Sequence, residues 1–273
     1  MNINWKLFSV LLGGSIFGML TVIPFVLTVQ GNILKEIPLS LPFLLTFQIV
    51  QNFFVLGFFI FIGLLLSKRI GLGVPYLEQW LAGKKTKRAI GAILMISLAG
   101  GLLAGVLILT ADAFFSLFIG PVPSGAGFEP GQNGLLGSTG ETAIARVSVP
   151  VWQGFLASFY GGITEEIMMR FFVMTLLVFI FYKIKSTKEG KPTVFGIWLA
   201  IVLAAVLFGI GRLPFTATLT ILTPIIITRA IILNGIGGII FGWLYWKRGL
   251  ESAILAHFSA DLFLLVFLPI FFS

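Results

Sequence analysis

Apolar stretches long enough to cross a lipid bilayer as helices recur along this chain, and they restrict its fold more than any other feature. They occupy residues 7–29, 41–67, 89–119, 151–182, 192–213, 215–246 and 251–272. About 20 helical residues at 1.5 Å each span the ~30 Å hydrocarbon layer. Of 273 residues, 58% are hydrophobic and 10% charged, which is more apolar surface than a water-soluble core can hide. The stretch 7–29 carries no charge, lacks a small-residue cleavage pattern and exceeds the roughly 7–15 apolar residues of a signal-peptide core, so it reads as a retained helix.

The net charge of +8 does not point to nucleic acid, because the lysines and arginines sit in short runs at the ends of apolar stretches and fix orientation. With the N-terminus inside, Lys6, the segment 68–88 and the turn 183–191 share the cytoplasmic side. The stretch 215–246 reads as one tilted helix or as a hairpin turning near Asn234-Gly235. One helix keeps Lys247 and Arg248 cytoplasmic but brings Arg212 and His257 in from opposite faces at mismatched depths. A hairpin matches the depths and breaks the charge rule, and it is the preferred reading, with eight crossings. The expected fold is all-α, a polytopic transmembrane bundle of about eight helices. It forms a single domain over 1–273 with its core at 151–273, expected in the plasma membrane of a prokaryote.

Between the spans, residues 73–88 mix Tyr76, Leu77, Trp80 and Leu81 with basic residues, and read equally as a helix in the headgroup plane or as a basic loop. Residues 120–150 hold seven glycines and four prolines, together with Glu129, Glu141 and Arg146, and read as a solvated connector. Gly100-Gly101 offers a bend in a long span. Gly238 and Gly242 offer a small-residue packing face.

Six residues break the apolar pattern in three stretches far apart in sequence, 151–182, 192–213 and 251–272: Glu165, Glu166, Arg170, Arg212, His257 and Asp261. Ionisable groups in a bilayer cost several kcal/mol, about 2.5–3.5 on insertion scales, so they face a protein interior and mark a working site. Glu166 and Arg170 are four apart and pair on one helix face. Glu165 is turned by about 100° from Glu166 and has no local partner. His257 and Asp261 are again four apart, an imidazole beside an acceptor that can fix its tautomer. A carboxylate shielded from water can act as a general base, and such a set can activate water and stabilise an oxyanion. Each element also has a plainer reading. Glu166 with Arg170 can simply join helices, His257 can be an interhelical hydrogen bond, and Gly161-Gly162 only permit close packing.

The run Glu165-Glu166-x-x-x-Arg170, then Phe208-x-x-x-Arg212, then His257-x-x-x-Asp261 resembles the three motifs of the CAAX prenyl protease and bacteriocin-processing (CPBP or Abi) family, over 151–273. The resemblance implies a bundle of about eight helices and an intramembrane endopeptidase of glutamic type. It implies that the first-motif Glu and second-motif His activate water, while the third-motif His and its Asn or Asp partner support the oxyanion. Type II CAAX proteases of this group remove the last three residues of prenylated proteins. On that basis Glu165, Glu166, Arg212, His257 and Asp261 are candidate catalytic residues, and Arg170 is their structural support. The expected partners are membrane lipid and a peptide or prenylated protein, with no nucleic acid.

The chain departs from the pattern at Arg212, where the second motif calls for His, and His257 is its one histidine. An arginine cannot accept a proton and puts a fixed positive charge beside the acid. Three readings follow. In the first, a peptidase uses Glu165 alone as base and Arg212 as oxyanion support; in the second, an impaired relative binds peptides without cleaving them. The third is a transporter, which calls for repeated halves with paired broken helices, and these are not seen. No cofactor or metal is expected, since one histidine and no cysteine fall short of the usual zinc ligands.

Overall fold

The computed structural model describes residues 3–84, 90–119 and 149–272. Seven helices are long and apolar enough to cross a membrane. They are α1 (Trp5–Glu36), α2 (Leu41–Ile70), α4 (Ile90–Ser116), α5 (Val151–Ile184), α6 (Val194–Gly211), α8 (Pro224–Arg248) and α9 (Leu250–Phe271). Two short helices join them, α3 (Pro75–Leu81) and α7 (Leu213–Ala217). Local chemistry sets several of the ends. Thr193 and Thr223 cap α6 and α8 by accepting from the Gly196 and Ile226 amides, and Pro224 opens α8 where its missing N–H costs nothing. The all-α polytopic bundle expected from the sequence is present. The connector 120–148, with Glu129, Glu141 and Arg146, and the basic residues Lys85, Lys87 and Arg88 lie outside the described residues.

The hairpin expected at Asn234-Gly235 does not form. Residues 224–248 are one continuous helix, and the chain turns earlier, at 218–223. Neighbouring helices show why the depth argument for a hairpin fails. A Cβ at Gly196 would lie 3.1 Å from Phe181, which sets α5 and α6 antiparallel with these two residues level. Sixteen residues further into the bilayer on each helix stand Glu165 and Arg212, at one depth. The α5–α6 hairpin overshoots the junction between α8 and α9, so equal depth does not mean equal distance from a loop. One helix also restores the charge rule. Lys6, Lys68, Arg69, the turn 183–191, Lys247 and Arg248 then all lie at one end of the bundle.

At that basic end Pro75–Leu81 of the amphipathic segment is helical. Glu251 at the start of α9 accepts from the Tyr76 and Leu77 amides at 2.8 and 2.9 Å and so caps α3. Gly249 between α8 and α9 has φ +103°, and a Cβ there would press into Pro75. Only glycine suits both demands.

Lipid tails are as apolar as leucine, so the helices are held by close contact. A Cβ at Gly238 would lie 2.6 Å from that of Ala205, and one at Gly242 3.1 Å from Ile201, which confirms the small-residue face of α8, packed on α6. Gly63 likewise admits Phe171 against α2. Helix α4 runs through Gly101 without a break, and the missing side chain there makes room for Ala256 and Ser259 of α9. Residues of α1, α2, α4, α5, α6, α8 and α9 share one buried core that includes Leu7, Ile60, Ala104, Phe171, Ile201, Leu244 and Ala256.

Candidate active site

Two consecutive wide turns carry the acidic pair. Tyr160–Glu165 and Ile167–Met174 are π-helical, with i to i+5 bonding, a feature often found at working sites. A wider turn rotates less per residue than the α-helix assumed in the sequence reading, and both glutamates face the bundle interior. The Thr175 hydroxyl helps hold the widened turn by donating to the Arg170 carbonyl at 3.1 Å, and Tyr245 of α8 meets the same hydroxyl at 2.8 Å. Gly161 and Gly162 let α9 approach. A Cβ at Gly161 would run into the Asp261 carboxylate and come within 3.1 Å of His257 Nε2, and one at Gly162 would crowd Phe258.

Glu166 is fully buried and lies between two cations or donors. Its Oε1 sits 2.8 Å from Arg170 Nη1 and 2.7 Å from His257 Nδ1. Arg170 lies between two rings, its guanidinium carbon 5.2 Å from the centroid of Phe208 and 5.4 Å from that of Phe241. Desolvated cation–ring contacts of this kind contribute about 2 kcal/mol each. Phe241 also stacks on the His257 ring at 4.7 Å, with Phe208 edge-on at 6.1 Å. The imidazole is thus fixed on one nitrogen and one face, with Nε2 turned toward Glu165 and Asp261.

Glu165 makes the second ion pair, its Oε2 accepting from Arg212 Nη2 at 2.8 Å and standing 4.0 Å from His257 Nε2. Arg212 caps the C-terminal end of α6 and runs back one turn, its guanidinium carbon 5.4 Å from the Phe208 ring. That is the direction a helical side chain takes, and it brings the charge to the level of the acid. Asp261 Oδ1 stands 3.7 Å from His257 Nε2, beyond hydrogen-bond length, so the short contact that orients the imidazole comes from Glu166 rather than from Asp261.

All six residues singled out in the sequence therefore meet. Sequence reasoning assigned no role to Phe241, which lies 16 residues before His257 and 71 after Arg170; the small-residue stripe of α8 that carries it was the only signal. It also missed a second buried ion pair, in which Arg229 of α8 donates to Asp112 of α4. Each of these charges sits within five residues of the same end of the bundle, a coincidence that one-helix topology would have exposed. Among the described residues, no three or more carboxylate, histidine or cysteine side chains gather as a metal-holding group. Each glutamate is met by a guanidinium instead.

Residues 147–263 match the family described as type II CAAX prenyl endopeptidase Rce1-like, a family of proteases. The match encloses all three motifs and bears out the resemblance drawn from them. No curated protein and no solved structure matches the chain.

Proposed function

We propose that this chain, with its type II CAAX prenyl endopeptidase Rce1-like domain at 147–263, is a glutamic intramembrane peptidase in which Glu165 activates the attacking water. The observation that carries this reading is the convergence of three distant spans on one carboxylate: Glu165 lies 2.8 Å from Arg212 and 4.0 Å from His257 Nε2. Glu165 takes a proton from water as the water oxygen bonds to the peptide carbonyl carbon. The developing oxyanion is met by the Arg212 guanidinium and by His257 Nε2, which donates when the imidazole is protonated. Glu165 then returns the proton to the departing amine nitrogen as the C–N bond breaks, leaving a carboxylic acid, which keeps the water's second hydrogen, and an amine. Glu166 holds His257 through Nδ1, Asp261 lies beside Nε2, and Arg170 balances Glu166. The reaction needs no cofactor. The helices before residue 147 belong to the same domain, since α1, α2 and α4 pack directly on the motif-bearing helices.

The Glu165–Arg212 contact itself supports a second reading, an impaired relative that binds peptides without cleaving them, because a paired carboxylate is slower to take a proton. Reconstituted protein incubated with a membrane-inserted apolar peptide, with products read by mass spectrometry, separates the two. Cleavage by the unaltered chain supports the active reading. Cleavage only after Arg212→His supports the impaired reading. Cleavage by neither removes the peptidase proposal.

A further inference from the structure

A serine or threonine hydroxyl in a helix bonds back to a carbonyl three or four residues earlier, as Thr21 does to Gly18 and Ser15 to Leu11. Among the described residues Thr175 alone reaches back five, to Arg170, whose carbonyl also takes the Thr175 amide. One residue thus donates twice to the carbonyl at which the wide turn of α5 closes. A hydroxyl has a single proton to give. Thr175 spends its own on Arg170, so the Tyr245 phenol of α8, 2.8 Å away, is the donor to Thr175 Oγ1. Both side chains are fully buried in helices surrounded by lipid, where a hydroxyl that finds no partner is costly.

The clamped turn lies between two halves of α5 that are seated separately. Upstream, Thr164 donates to the Ser15 carbonyl of α1 at 2.8 Å, and Gly161 and Gly162 fit against α9. Downstream, Phe181 packs on Gly196 of α6. The turn therefore sets the rotation of one half against the other, and both acids stand immediately ahead of it. An α-helical turn in its place would hold one residue fewer per hydrogen bond and turn the residues before it by about 100°.

We infer that Thr175 and Tyr245 are positioning residues for the acid pair: the relay from the Tyr245 hydroxyl through Thr175 to the Arg170 carbonyl keeps the turn wide, and the wide turn holds Glu166 on His257 and Glu165 beside Arg212. The inference rests on the peptidase reading and adds to it two residues that act through the acids rather than on the substrate. Tyr245 lies one turn from Phe241, so the helix that covers the imidazole also fixes the acids that meet it. A relay that only fastened α8 to α5 would leave the acids where they are.

That difference can be measured on the full chain in nanodiscs through its one histidine. Isotopic labelling of histidine nitrogen gives a single imidazole, and His257 Nδ1 lies 2.7 Å from Glu166, so its magnetic resonance reports the seat of the acid without any turnover. Cleavage of an embedded apolar peptide is followed beside it, with kcat and KM separated. Thr175→Val keeps the branched shape and removes the hydroxyl. It is expected to move the His257 resonance and to lower kcat about 10²-fold, the cost of misplacing a reacting group by about 1 Å, with KM little changed. Thr175→Ser, which restores the hydroxyl, is expected to return both. Tyr245→Phe removes only the outer donor and is expected to move the resonance the same way and lower kcat about tenfold. The double variant Thr175→Val with Tyr245→Phe is expected to fall no further than Thr175→Val alone, since the two hydroxyls act in series. If the resonance stays put in the folded Thr175→Val and Tyr245→Phe proteins, the inference fails, and cleavage by the unaltered chain then leaves the peptidase reading standing. A loss in Thr175→Ser as large as that in Thr175→Val, or a moved resonance with kcat intact, also overturns it. If the resonance moves and the unaltered chain cleaves nothing, the placement of the acids by the relay stands and the peptidase reading falls.

Discussion

Two arginine–glutamate pairs on adjacent acids have the same 2.8 Å contact and opposite surroundings. Arg170 and Glu166 are 3% and 0% exposed at their side chains, whereas Arg212 and Glu165 are 35% and 5% exposed. The first pair is closed by Phe208, Phe241 and His257, so no ligand reaches it and neither partner has an alternative. The second has one partner that can leave. Adjacent acids of α5 thus enter a closed scaffold pair within that helix and a more open pair with Arg212 at the end of α6, and what distinguishes the two is the opening rather than the contact.

If that distinction is sound, the scaffold pair dominates stability. Arg170→Met strands a buried carboxylate, and equilibrium unfolding in mixed micelles should show a loss of about 3–5 kcal/mol. A loss below about 1 kcal/mol would make the two pairs equivalent and erase the contrast. The Asp112–Arg229 pair is also buried but lies nearer the end of the bundle. Asp112→Leu is expected to cost about 3 kcal/mol, at the low end of the same range, by the same measurement. Gly161→Ala probes the seat of the site, since its methyl group would meet Asp261 and His257. Overpacking of that kind costs about 1–3 kcal/mol, and an unchanged midpoint would show that α9 is free to shift. Arg212→Gln should be the mildest. The glutamine amide can still donate to the buried Glu165 carboxylate, so a loss of about 1 kcal/mol is expected, and a loss as large as that of Arg170→Met would place Arg212 in the scaffold.

The parts of this architecture that periodicity and charge encode were legible in the sequence. Span lengths, the small-residue face of α8 and the gathering of Glu165, Glu166, Arg170, Arg212, His257 and Asp261 all follow from where apolar runs begin, end and are broken. What failed depended on heights and rotations that a linear pattern does not carry. A hairpin at Asn234-Gly235 requires loop ends at one level, whereas α5 and α6 overshoot their neighbours. Glu165 has no partner on its own helix among the described residues, as its turn away from Glu166 implies, and it is Arg212, 47 residues on, that meets it across the bundle. Asp261 was given the imidazole because it is four residues from His257, while Glu166, 91 residues away, makes the shorter contact. Phe241 is marked only by the small-residue stripe that carries it, and packing shows that it covers both Arg170 and His257.

The rate at which the reconstituted chain cleaves an embedded peptide, measured beside its Glu165→Gln variant, bears most directly on the central claim. The account expects cleavage by the unaltered protein and a fall on the order of 10³-fold or more in the variant, with an unfolding midpoint that barely moves. Equal cleavage by both proteins would contradict it, because the carboxylate on which three spans converge would then take no part in the chemistry.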